Sequence, residues 1–286
     1  GCASAAARAT CTRLPAACST GRAPPRLSGS NQLSKVLAQS TTSRSAAAQV
    51  ASGAYSTIVG GSTNTASAQY AVAGGLGSSA TGDYSTTFGN SNTASGIASL
   101  ALGASNTASS SHTFAQGQNC IASGAYSSAT GNSSSTRSLI GARSHAASQS
   151  VGVGTCQMIR MHLRTVTSSG SATSLTADNG AKSSTNHYVL NNRCTAAVSG
   201  LVTARNQTGD VATWSFTAGI TREANAASTT ILTAVTPVSL GTSGAGSGWT
   251  LAVVADTTNG SLDVQFTGAS AVHVSCLLEA AEMTRA

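Results

Sequence analysis

Residues 51–135 repeat themselves, and the repeat fixes most of what this chain can become. Blocks that start at Ala51, Ala66, Ala80, Ala94, Ala108 and Ala122 stack in register, with a period of 14 residues and one block of 15. The first begins ASGAYSTIVG, the third ATGDYSTTFG, the fourth ASGIASLALG and the sixth ASGAYSSATG. The tenth position is glycine in every block: Gly60, Gly75, Gly89, Gly103, Gly117 and Gly131. The fifth is tyrosine at Tyr55, Tyr70, Tyr84 and Tyr126, with Ala98 and His112 as exceptions, and the sixth is always small. A fixed short period is the mark of a solenoid. Fourteen residues are too few for a helical hairpin, but they suit two short strands and two turns. Alternation such as Ser99, Ala101, Gly103 is a strand signal. The in-phase glycines fit turns with positive φ or close backbone approach. Small inward residues imply a thin coil that must stack on its neighbours.

These blocks resemble the head repeats of trimeric autotransporter adhesins, and similar repeats occur in bacteriophage tail fibres. The resemblance implies a left-handed parallel β-roll in each chain, with three rolls packed side by side. Ala68 and Ser110 stand where the third position of the other blocks has glycine.

Composition bears on the same point. Aromatics make up 4% and charged residues 8% of the 286 residues. So few large apolar groups would also suit a disordered segment. Disordered chains usually carry high charge, however, and a low-complexity tract has no reason to keep glycine in phase. Burial stabilises by roughly 25 cal/mol per Å², and Ala or Ser offers little area, so a homo-oligomer is expected; the trimer is what the resemblance implies. The net charge is +7. Residues 1–50 carry Arg8, Arg13, Arg22, Arg26, Lys35 and Arg44 and no acid, whereas the repeats carry only Asp83. A basic tail can contact nucleic acid or a membrane surface, but this one lacks interleaved aromatics, and a solvated tail or docking segment is expected. Residues 31–40 fit a short helix capped by Asn31.

After Gly131 the phase breaks, and Arg137, Arg143 and His145 enter. This stretch reads as a capping or transition coil, because terminal repeats of solenoids are atypical. His112 and His145 read as partly exposed polar substitutions. From Cys156 the pattern changes. Ile159, Met161 and Leu163 alternate with Arg160, His162 and Arg164, as in a half-exposed strand. Further strands are expected at 187–190, 194–205, 211–222, 229–235, 249–255, 261–267 and 271–278. Turn signals separate them at Asp178-Asn179-Gly180, Thr208-Gly209-Asp210 and Asn259-Gly260. About eight short strands at this spacing predict a β-sandwich or jelly-roll-like domain, with Trp214, Phe216, Trp249 and Phe266 as its large core residues. Residues 200–229 and 248–268 resemble a C-terminal β-domain of phage tail-fibre and related virion proteins.

The expected fold class is therefore all-β: a left-handed parallel β-roll of 14-residue repeats, then an antiparallel sandwich-like domain, assembled as a homotrimer. The expected divisions are 1–46, an irregular basic tail or docking segment; 47–154, the roll with its transition coil; and 155–286, the β-domain.

A search for chemistry finds no catalytic set. Glu279 and Glu282 lie one helical turn apart near the end, and Asp256 and Asp263 flank a hairpin. A glycosidase needs two carboxyls across a bond, and the latter pair reads instead as turn-forming. None of the seven cysteines (Cys2, Cys11, Cys18, Cys120, Cys156, Cys194, Cys276) has zinc-like spacing, and Cys120 reads as a small buried residue. No phosphate loop or metal motif is present, so neither cofactor nor metal is expected. No apolar run is long enough to span a membrane, and no signal-peptide core is visible. The first residue is Gly1, which reads as a processed or partial terminus.

The function expected is a non-enzymatic structural and attachment protein: a trimeric phage tail fibre or similar virion appendage. Its expected partners are sister chains, a virion carrier protein, and a host-surface glycan or protein. The alternatives are a cell-surface trimeric adhesin head and a structural filament subunit. A third, a polysaccharide-degrading spike, would need an acid pair. The ending LLEAAEMTRA shows neither stalk nor anchor, which counts against the adhesin. Six or seven coils at about 4.7–4.9 Å each make a rod of about 30–35 Å.

Overall fold

A computed structural model describes residues 49–147 and 152–285. The helix expected at 31–40 lies outside them, as do Cys2, Cys11 and Cys18. The described chain is all-β apart from two short 3-10 turns. Strands of four or more residues are numbered here in chain order. Seven line one face of a parallel solenoid: β1 (Thr57–Ser62), β2 (Val72–Leu76), β3 (Thr86–Asn90), β4 (Leu100–Ala104), β5 (Phe114–Gln118), β6 (Ser128–Asn132) and β7 (Arg143–Ala146). A second parallel sheet of two-residue strands, such as Thr93–Ala94 and Thr107–Ala108, forms another face. Pairing runs in steps of one repeat: Phe114 stands beside Leu100 and Ser128, and Gly117 beside Gly103 and Gly131.

The interior is narrow because it is filled by small side chains. Ala73, Thr87, Ala101, Ala115 and Ala129 point inward from the long strands, and Ala66, Ala80, Ala94, Ala108 and Ala122 from the short ones; all are fully buried. Between them runs a column of buried turn residues. Asn106 donates through Nδ2 to the carbonyls of Leu102 (2.8 Å) and Gly117 (2.7 Å), and its Oδ1 accepts from the Cys120 amide (2.8 Å). Asn92 and Asn64 repeat this pattern one and three coils earlier. Ser78, Cys120 and Ser134 fill the other rungs. A thin coil thus replaces missing apolar burial with side-chain bonds to backbone groups that would otherwise be buried unpaired.

The glycine positions are set by close approach. A Cβ on Gly89 would overlap the carbonyl of Gly103, and the same holds for Gly75 against Gly89, Gly103 against Gly117 and Gly117 against Gly131. The first coil departs from the sequence register. Val59 bulges between Ile58 and Gly60, so that Gly61, and not Gly60, stands opposite Gly75. Gly60 faces open space, with φ +146°. The bulge absorbs the extra residue of the 15-residue block. The transition region holds a further coil: β7 pairs parallel with β6 at a spacing of 15 residues.

The long-strand sheet does not end there. β7 pairs antiparallel with β8 (Cys156–Val166), which leads to β14 (His273–Thr284), β9 (Cys194–Arg205) and β10 (Val211–Arg222). β11 (Val238–Ser243) and the short strand Thr230–Ile231 lie along β10. A separate sheet is built on β12 (Thr250–Asp256) and β13 (Ser261–Thr267). Both sheets feed one apolar core that contains Ile159, Leu163, Val202, Trp214, Phe216, Trp249, Val264 and Phe266. Trp214 and Trp249 each meet Phe266 edge-on, at 6.0 and 5.8 Å between centroids. Leu139 and Ala142, from the last coil, belong to the same core.

A buried polar cluster fastens this junction. Arg137, with φ +49°, pairs with Glu282. Tyr188 Oη donates to Glu282 Oε1 (2.6 Å), Gln157 Nε2 to Glu282 Oε2 (3.1 Å), and Arg137 Nη2 to the carbonyl of Val189 (2.9 Å). Burial would lower the pKa of Arg137, but Glu282 more than offsets it and the guanidinium stays charged. Burial and Glu282 both push the Tyr188 hydroxyl well up.

Candidate functional site

The fifth position of every block lies at a corner of the coil. Tyr55, Tyr70, Tyr84, Ala98, His112 and Tyr126 all have φ between 53° and 61°. From Tyr70 onward each such corner lets the amide reach back to the previous coil, as Tyr84 N does to Gln69 O (2.8 Å) and Ala98 N to Asp83 O (2.8 Å). A left-handed conformation costs a non-glycine residue on the order of 1–2 kcal/mol. Part of that is offset because the coil spacing matches aromatic stacking. Tyr55, Tyr70 and Tyr84 stack at 4.9 and 5.0 Å, and His112 stacks on Tyr126 at 5.1 Å. The ladder is exposed and lacks one rung, at Ala98. His145, the other singled-out histidine, approaches Thr130 Oγ1 through Nδ1 at 3.1 Å.

The carboxylates lie apart from this ladder. Glu279 and Glu282 sit on strand β14 and not on a helix. A spacing of three on a strand sends them to opposite faces. Glu282 is buried at the junction, whereas Glu279 lies outside and pairs with Arg160. Asp256 and Asp263 are both buried and flank one cation: Lys182 Nζ lies 3.2 Å from Asp256 Oδ2 and 2.8 Å from Asp263 Oδ2. His187 Nε2 lies 3.5 Å from Asp256 Oδ2. Asp256 also accepts from Asn259 Nδ2 (2.8 Å) and the Thr258 amide (2.9 Å), and so closes the β12–β13 hairpin. Burial alone would raise the Asp256 pKa, but these bonds and Lys182 hold it well below the carboxylate range. Burial pushes His187 below its usual value despite both aspartates. Burial also opposes the charge on Lys182, yet the carboxylates raise its pKa. A sugar-cleaving acid pair needs room for a bond between its carboxyls, and here the ammonium of Lys182 fills that place. Among the described residues no group of three or more His, Cys, Asp or Glu is arranged to hold a metal ion, and no helix is long and apolar enough to cross a membrane.

The outer face of β8, β14 and β9 is open and has two halves. Leu201 and Leu277 stand opposite each other in register, with Val238 close by, around a cavity of about 490 Å³. Further along the same strands, Arg164, Arg205, His162 and His273 line a second cavity, also of about 490 Å³.

No protein-family model matches the chain, and no curated protein matches it. Among solved structures it is similar to the tailspike protein of Acinetobacter phage vB_ApiP_P1, at 10% identity over 80% of this chain and 50% of that one, with a TM-score of 0.24. It is also similar to the tailspike protein of Acinetobacter baumannii phage AM24, at 9% identity over 81% of this chain and 53% of that one, with a TM-score of 0.20. The chain spans about half the length of these tailspikes.

Proposed function

We propose that the chain is a non-enzymatic structural and attachment protein of a phage tail fibre or similar virion appendage, working as a homotrimer at the host surface. In this reading residues 47–154 are a left-handed roll acting as a stiff spacer, and residues 155–286 form a sandwich-like distal domain. The reading is supported chiefly by the sheet that runs unbroken from the coils into the C-terminal part, a stiff connection suited to holding a tip at a fixed distance. Apolar side chains left outside on that sheet support assembly with sister chains: Val59, Leu76 and Phe88 on the coils, and Leu201, Val238 and Leu277 beyond them. The repeat resemblance favours three chains over two. Sedimentation equilibrium at micromolar concentration should return three times the chain mass of 28.0 kDa. A stable single-chain species under the same conditions refutes the assembly.

A further inference from the structure

We propose that the cationic half of the outer sheet face binds an acidic polysaccharide. The inference rests on the attachment reading and gives it a surface and a ligand class. Three neighbouring strands place the charges. In register, Arg164 lies opposite Ser275, and Ser275 opposite Thr203; one pair further along, Val166 lies opposite His273, and His273 opposite Arg205. All of these side chains are exposed. The same face shows what a neutralised arginine looks like: Arg160, four residues before Arg164 on β8, stands opposite Glu279 and pairs with it. Among the described residues neither Arg164 nor Arg205 has a carboxylate partner. Asp178 is the acid at the rim, and its Oδ1 is taken by the Gly180 amide and Asn186 Nδ2, both at 2.9 Å.

The chemistry of the groove selects among anions. Guanidinium groups bind carboxylates and sulfates or phosphates through paired donors. Thr203 adds an exposed hydroxyl between the charges, as suits a hydroxylated ligand, and Ser275 Oγ lies 2.7 Å from His162 Nε2. No Trp, Tyr or Phe lines the groove, so it lacks the base-stacking platforms of single-stranded nucleic-acid sites. The backbones of Arg164 and Arg205 are two strand spacings and one residue pair apart, about 12 Å. A polymer with repeated charges meets both at once. Single exposed ion pairs are weak, so such a surface works through repetition along the polymer and across sister chains.

The test is retention of the full chain on immobilised polygalacturonate, with neutral dextran as the contrasting matrix. Polygalacturonate should retain the protein at about 50 mM salt and release it at about 500 mM, as screening shortens the reach of the charges. Dextran should not retain it. The double variant Arg164→Gln, Arg205→Gln should bind at least about tenfold more weakly. Arg164→Lys with Arg205→Lys keeps the charge without the paired donors and should bind between the wild type and the double glutamine variant, and Arg193→Gln, an exposed change at the opposite end of β9 from Arg205, should keep all of it. Circular dichroism confirms that each variant is folded. The proposal falls if the wild type ignores polygalacturonate, if dextran binds equally, if the double glutamine variant binds like the wild type, or if single-stranded oligothymidylate binds more tightly. A chain that sediments as a trimer yet fails here sinks the groove alone; one that sediments as a monomer sinks the assembly reading.

Discussion

Replacing Asn106 by alanine tests how this solenoid is held together. The side chain makes three bonds: two donated to the carbonyls of Leu102 and Gly117, and one accepted from the Cys120 amide. Each is worth about 1 kcal/mol net, and a buried amide left without a partner adds about 1–3 kcal/mol of desolvation cost. Asn106→Ala should therefore destabilise the fold by about 4–6 kcal/mol. At about 2–4 °C per kcal/mol for a chain of this size, the melting temperature should fall by about 8–24 °C. Far-UV circular dichroism gives the midpoint, and hydrogen exchange at the Cys120 amide locates the damage. Gln116→Ala, an exposed change on β5, should stay within about 0.5 kcal/mol. The reciprocal change, Cys120→Asn, restores the asparagine of the column and should stabilise by about 1–2 kcal/mol. If Asn106→Ala melts with Gln116→Ala, or if the Cys120 amide keeps its protection, the column does not carry the coil.

Three further outcomes are expected. Gly89→Ala should be far more damaging than Gly60→Ala by thermal melting, because both have positive φ but only Gly89 faces a carbonyl that a Cβ would overlap; equal losses would remove close approach as the reason for the glycines. Ala98→Tyr should raise stability by about 1–3 kcal/mol in chemical denaturation, since two new ring contacts are each worth about 0.5–1.5 kcal/mol and Ala98 already holds the φ of its tyrosine counterparts; a loss would show that the gap is not a missing rung. Acid should destabilise the C-terminal part in two stages. His187 is held neutral, so its contribution is present above about pH 6.5 and fades as pH falls below that, whereas the depressed Asp256 adds a second loss below about pH 4. Denaturant midpoints from pH 8 down to 3 check this, and His187→Gln should flatten the upper stage alone; an unchanged upper stage contradicts it.

Much of this architecture is legible in the residues, and the exceptions have physical reasons. Strands 194–205, 211–222 and 261–267 follow the expected bounds, because alternation there is regular and turn residues bracket them. Ile159, Met161 and Leu163 face inward as their spacing requires. By contrast, β11 is exposed along its whole length, so no alternation marks it, and the strand expected at 229–235 shrinks to Thr230–Ile231. The last strand continues to Thr284 through EAAEMT, a run of good helix formers. Ladders from β8 on one side and β9 on the other override that propensity. The Gly60-Gly61 doublet offers two equal candidates for one register position, and only the bulge at Val59 decides between them. The asparagines at 64, 92 and 106 are spaced by whole repeats, a signal that was available in the sequence. The Lys182–Asp263 contact spans 81 residues, and nothing local announces it.

The step of one repeat between neighbouring strands has a consequence for how such a chain changes over generations. A tandem duplication of 14 codons inside the repeats inserts a whole coil whose two faces already fit those above and below. The solenoid can therefore lengthen or shorten only in increments of about 4.7–4.9 Å, leaving the sheet beyond its last coil untouched.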